Sequence, residues 1–147
     1  MKEEVLPFFI EDLRESTPLC VLETPLTLSL SSPSVIVCSH SSILDKKHNN
    51  FSLITNTTAQ NYTPDINKLF DSFVPYTNEF DIHVLIMTGI GRDGIDATKK
   101  LKERGAFVVA QDEETSPVFG MPKAAIEEGI VDEIKSLSQI KQYMREL

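Results

Sequence analysis

The most constraining stretch of the chain is residues 81–122, DIHVLIMTGIGRDGIDATKKLKERGAFVVAQDEETSPVFGMP. Val84 to Met87 is a hydrophobic run that reads as a buried strand. It ends in Thr88-Gly89-Ile90-Gly91-Arg92-Asp93-Gly94, a turn with three glycines free to take positive φ. From Ile95 to Arg104, the residues Ile95, Thr98 and Leu101 share one face with lysines around the rest, which is a helical pattern. Gly105 stands where a helix C′ glycine belongs, and Ala106–Ala110 is a second apolar strand. Strand, glycine turn, helix and strand make one βαβ unit, so the sheet is parallel. Ligands and chemistry in such sheets lie beyond the carboxyl ends of the strands. Here those ends are Thr88–Gly94 and Gln111–Glu114.

The rest of the chain fits around that unit. Residues 2–15 pattern as a helix, provided it starts close to Pro7. Leu19–Leu22 and Val35–Cys38 are short strands. Leu26–Leu30 and Phe51–Ile54 alternate with period two, as half-buried antiparallel strands do, and Asp45–Asn50 is a polar turn. Roughly 24–60 is therefore a small antiparallel excursion. Thr63 is placed to cap a helix with Pro64 at its first position and Ile66, Leu69, Phe70 and Phe73 as its apolar stripe. Beyond the βαβ unit come a short helix from Pro122 to Glu128 ended by Gly129, an edge strand over Val131–Ile134, and a final helix. Ser138 caps that helix, with Ile140 and Met144 inward. The expectation is one α/β domain over residues 1–147: a doubly wound, Rossmann-like parallel sheet with an antiparallel β-hairpin insert.

Charge and composition remove several functions. A net charge of −8 and a pI near 4.8 argue against nucleic acid or anionic membrane as a bulk partner. No apolar run approaches the ~20 residues a membrane span needs. Acidic residues in MKEEVLPFFIEDLRES oppose a signal peptide, so the expected location is cytoplasmic. Cys20 and Cys38 lack metal-site spacing and read as buried, reduced thiols.

Two chemistries compete for the glycine turn. Gly89-x-Gly91-x-x-Gly94 between strand and helix matches the dinucleotide fingerprint, with Asp112 near the ribose position. Against it, Asp93 puts an anion where pyrophosphate would sit, and the motif arrives too late for a six-stranded cofactor sheet. The other reading makes Asp93 the purpose of the turn. A carboxylate at a helix N-terminus is held as the anion and can orient a histidine, as the acid of a Ser-His-Asp arrangement does. The backbone N–H groups of Gly89, Ile90 and Gly91 can meet an oxyanion. A plainer role for Asp93 is to cap the helix, since Asp is a preferred N-cap.

The string MTGIGRDG, followed by AQDEETSPVFGMP and AIEEGIVDEI, closely resembles the C-terminal half of the CheB catalytic domain, the protein-glutamate methylesterase of bacterial chemotaxis. More loosely, Tyr62–Ile66 resembles the start of a family helix, and Val35–Leu44 its central hairpin. The resemblance implies a carboxylic ester hydrolase that removes methyl esters from receptor glutamates and deamidates certain glutamines. It implies a serine, a histidine and an aspartate as catalytic groups, with methylated chemoreceptors as partners and no cofactor or metal. Asp93 sits at the family's aspartate. Ile90 stands where relatives usually have methionine, at a position associated with the oxyanion site. The family's Gly/Ser/Thr-rich serine turn and Gln-His-Met string are absent, and Met1-Lys2-Glu3-Glu4 looks like the residues just after that histidine. The chain is thus expected to be a catalytic domain lacking its N-terminal part, with an unpaired sheet edge. His40, His48 and His83 read as surface or structurally satisfied histidines. A receptor-binding paralogue without catalysis is the alternative, and a dinucleotide binder the more distant one.

Overall fold

A computed structural model describes residues 4–24, 28–29, 33–47, 50–55 and 64–147. The chain divides into two units, Met1–Ser72 and Phe73–Leu147.

In the first unit α1 spans Leu6–Ser16, with Pro7 in its opening turn, where a missing N–H costs nothing. Strand β1 is Cys20–Glu23 and β2 is Leu28–Ser29. They are followed by β3, Ser34–Val37, β4, Ser42–Lys47, and β5, Asn50–Thr55. The β1 and β3 strands pair in parallel, whereas β2, β5 and β4 form an antiparallel sheet in that order. The antiparallel excursion is therefore present, with two corrections. Asp45, Lys46 and Lys47 do not form the polar turn; they extend β4 to the register pair Lys47–Asn50. Their charges lie on a hairpin whose inward positions, Leu44 and Leu53, carry the burial. The hairpin is β4–β5: of Val35–Leu44, Val35–Val37 lie in β3, which pairs with β1 instead, and Ser42–Leu44 alone lie in the hairpin. Cys20 is exposed rather than buried. Cys38 is half-buried, and burial pushes its thiol pKa up.

Helix α2 spans Ile66–Phe73. The expected cap Thr63 lies outside the described residues. The Asp65 carboxylate accepts the Lys68 N–H at 2.8 Å, satisfying one orphan donor of the first turn. Pro64 thus precedes the helix rather than opening it.

In the second unit a 3₁₀ turn at Val74–Tyr76 leads to β6, His83–Ile86. Then come α3, Ile95–Glu103, β7, Phe107–Gln111, α4, Gly120–Glu127, β8, Glu133–Lys135, and α5, Leu137–Glu146. The sheet is parallel, in the order β6-β7-β8. Helices pack on central β7, so Val108, Val109 and Ala110 are wholly buried and the strand reads as an unbroken apolar run. Helix α3 turns Ile95, Ala97, Thr98 and Leu101 inward. The α/β parallel class expected from the sequence is what the chain adopts.

Gly105 closes α3 at φ +98°. Its N–H donates to Lys102 and that of Ala106 to Leu101, the paired bonds of a Schellman end. Gly129 ends α4 in the same manner at φ +68°. At α5 the cap is Ser136, not Ser138. Its hydroxyl accepts the Gln139 N–H, and the Gln139 side chain accepts the Ser136 N–H in return. Ile140 is buried, but Met144 is 57% exposed, so the inward stripe stops short of the last turn.

Candidate active site

The turn after β6 is fixed at its beginning and open at its middle. Thr88 donates its N–H to the Gln111 side-chain oxygen at 3.0 Å. The Thr88 hydroxyl accepts the Val118 N–H at 3.0 Å and faces the Val118 carbonyl at 3.2 Å. Gly89 donates to the Val118 carbonyl at 2.9 Å and accepts the Met121 N–H at 2.9 Å. Residues 118–121 thus continue the sheet by one bridge, Gly89 to Phe119. Gly89 and Gly120 bring two backbones into close approach, and neither takes a positive φ. A Cβ there would meet the Met121 sulfur at 2.7 Å, and one on Gly120 would stand 2.8 Å from the Gly89 carbonyl oxygen. The positive φ values fall on Gly91, at +100°, and Gly94, at +90°.

Between those points Ile90 is 86% exposed. Among the described residues neither the Ile90 nor the Gly91 N–H donates to a protein acceptor, whereas the Gly89 N–H is taken up by Val118. Arg92 pairs with Glu128 at the end of α4, an exposed ion pair that tethers the turn more than it stabilises it. Asp93 is half-buried one residue ahead of the N-cap. The N-cap position itself falls on Gly94, without a side-chain cap bond. The carboxylate therefore sits at the positive end of the α3 dipole, where an anion is favoured. The Gly94 carbonyl is claimed by the N–H and hydroxyl of buried Thr98, at 2.9 and 2.7 Å.

The second strand end, Gln111–Glu114, stands beside this turn. Gln111 is 1% exposed. Its Nε2 donates to the Thr115 carbonyl at 2.7 Å, with the Thr115 hydroxyl at 3.3 Å. Asp112 Oδ1 accepts both the N–H and the hydroxyl of Thr115. The carboxylate that a dinucleotide reading would give to a ribose is thus engaged in its own loop. Among the described residues no group of His, Cys, Asp and Glu is arranged to hold a metal ion.

The histidines take local partners. His40 Nδ1 lies 3.1 Å from the Thr24 carbonyl and 3.0 Å from the Ser39 hydroxyl. His83 Nδ1 meets the Tyr143 hydroxyl at 2.5 Å, and its Nε2 lies 3.4 Å from Asp81. His83 opens β6, at the opposite end of the strand from the glycine turn. His48 lies outside the described residues. Sequence reasoning did not assign roles to Gln111, Thr88 or the Val118–Met121 segment. The available signal was the polar residue closing an otherwise apolar strand, Phe107–Gln111.

With this geometry in hand, similarity to known proteins becomes informative. A family model described as CheB methylesterase matches residues 1–144. A protein-glutamate methylesterase/protein-glutamine glutaminase of Borreliella burgdorferi is 41% identical over 92 residues, covering 63% of this chain and 24% of that protein. The protein of the same name from Pyrococcus abyssi is 52% identical over 58 residues, 40% of this chain and 16% of its own length. The matches thus span about a quarter or less of these curated relatives. The crystal structure of the Thermotoga maritima CheB methylesterase catalytic domain matches with a TM-score of 0.86 at 26% identity. That match covers 99% of this chain and 79% of that domain.

Proposed function

The chain belongs to the CheB methylesterase family, and from that premise we propose that its glycine turn is the acid and oxyanion corner of a protein-glutamate methylesterase site. The substrates are glutamate methyl esters of methylated chemoreceptors. A serine oxygen adds to the ester carbonyl while a histidine takes its proton. The tetrahedral intermediate collapses with loss of methanol, and water hydrolyses the acyl-enzyme to the free glutamate. Asp93 holds the histidine in the working tautomer and stabilises the imidazolium as it forms. The Ile90 and Gly91 N–H groups, on a turn shaped by Gly89, donate to the oxyanion. The same addition to a side-chain amide, with ammonia leaving, deamidates glutamine.

The observation that carries this reading is one juxtaposition. Two adjacent backbone N–H groups unclaimed by the described residues stand just ahead of a carboxylate at a helix N-terminus. They lie beyond the carboxyl end of a parallel strand, where such sheets place their chemistry. Of the three catalytic groups this sequence carries the aspartate; it contains neither the serine turn nor the Gln-His-Met string. The 147-residue chain assayed alone is therefore expected to release methanol from methylated receptor only at background rate. Release at a rate comparable to that of complete relatives would overturn the assignment of roles. The same shortage favours a second reading, a receptor-binding paralogue without catalysis. Failure of immobilised chain to retain methylated receptor would dispose of it.

A further inference from the structure

We propose that Gln111 is a positioning residue for the Thr88–Gly91 turn, holding the Ile90 and Gly91 N–H groups where the oxyanion forms. The proposal rests on the reading of that turn given above. Gln111 is the last residue of central strand β7 and is 1% exposed. A buried primary amide is costly unless both its ends are satisfied. Here the oxygen accepts the Thr88 N–H and the nitrogen donates to the Thr115 carbonyl. Thr115 in turn accepts the Leu137 N–H through its hydroxyl, which donates to Asp112. Gln111 thus joins the start of the turn to the loop after β7, and Thr115 extends the link to the first residue of α5.

The chemistry of the contact selects glutamine. The Thr88 N–H needs an acceptor and the Thr115 carbonyl needs a donor, and both must come from a single side chain of fixed reach. Leucine matches the volume and offers neither. Glutamate offers the acceptor but, when ionised, sets a carboxylate against the Thr115 carbonyl. Protonated glutamic acid offers both, through its carbonyl oxygen and its O–H. Among the described residues, Thr88 and Gly89 are otherwise held only from the other flank, by residues 118–121. Loss of the Gln111 bond therefore lets the turn shift on its free side, where Ile90 and Gly91 have no protein partner of their own among the described residues.

The test uses the full 147-residue chain, ¹⁵N-labelled, as wild type, Gln111→Leu and Gln111→Glu. In Gln111→Leu the Thr88 amide should exchange about fivefold to tenfold faster relative to Val109, the factor one hydrogen bond of ordinary net strength supports. The Ile90 and Gly91 amide resonances should move with it. In Gln111→Glu those resonances should return towards wild type as the acid protonates, whereas in Gln111→Leu, which fills the space but offers neither donor nor acceptor, they should stay displaced at every pH. Unchanged turn resonances in Gln111→Leu, or acceleration spread evenly over β7 and α3, would overturn the proposal. If Gln111→Leu does not fold, the pH titration of Gln111→Glu decides alone. Turn resonances at or returning to their wild-type positions support the positioning role, and resonances displaced at every pH refute it. Methanol release by a form of the protein that carries the serine and histidine turns separates the two claims. A turn that responds as described in a protein that releases no methanol keeps the positioning role and removes the functional reading.

Discussion

Replacing Gly120 by alanine probes whether the approach of two backbones builds the turn. The new Cβ would lie 2.8 Å from the Gly89 carbonyl oxygen and 3.4 Å from the Ile90 Cα. Both are backbone atoms, so relief requires the turn itself to move. Overpacking of this kind costs about 1–3 kcal/mol. Alanine recovers up to about 1 kcal/mol of helix propensity, and less at the first residue of α4. A net loss of about 1–2 kcal/mol follows, equal to a factor of roughly 5–30 in opening equilibrium. Gly89→Ala is the internal control. Its Cβ meets the Met121 sulfur at 2.7 Å, the far end of a flexible side chain that can swing away, so it should cost less. Gly105→Ala has open space but a φ of +98°, and should cost about 1 kcal/mol from left-handed strain alone. Native-state hydrogen exchange at Val108, Val109 and Ala110 reads the opening of the second unit directly. Gly120→Ala no more destabilising than Gly89→Ala would refute the backbone-contact argument.

Two further outcomes follow from the second unit. Asp132 hydrogen-bonds the Lys102 ammonium and accepts the Val108 N–H at 2.8 Å, which hold its carboxyl pKa below the usual value. A depressed folded pKa adds stability that is present above the unfolded pKa and lost as pH falls through the folded one. Urea melts should therefore show wild type losing stability below about pH 4 more steeply than Asp132→Asn. Ser136→Ala removes the capping box of α5 and should cost about 1 kcal/mol. Faster amide exchange confined to the first turn of that helix would be its signature.

Which parts of this architecture were legible in the sequence has a physical pattern. The βαβ unit was readable because its signals are local: an apolar run, lysines at helical spacing around Ile95 and Leu101, and a glycine at C′. Helix α1 and its tolerance of Pro7 were readable for the same reason. Errors arose where two local signals competed. Ser136 and Ser138 both suit an N-cap, and only the Gln139 reciprocal bond three residues after Ser136 separates them. Asp45–Lys47 carry turn-like charge, yet a hairpin strand with one solvated face accepts charge readily. Contacts between distant segments were not legible at all. Nothing local to Gly89 announces Gly120, 31 positions on, and nothing local to Gln111 announces Thr88. For the site, the residues of the turn could be named from their motif. What holds the turn in place lies in segments whose pairing only the fold reveals.

Asp93 is proposed to act through a histidine in ester hydrolysis. The most direct test is methanol release from methylated receptor by a form of the protein that carries the serine and histidine turns, as wild type and as Asp93→Asn. In Asp93→Asn kcat should be lower by on the order of 10³–10⁴-fold, the scale expected when a triad loses its acid. KM should change little, and the amide spectrum of the turn should be preserved. An Asp93→Asn protein within a few-fold of wild type would contradict it.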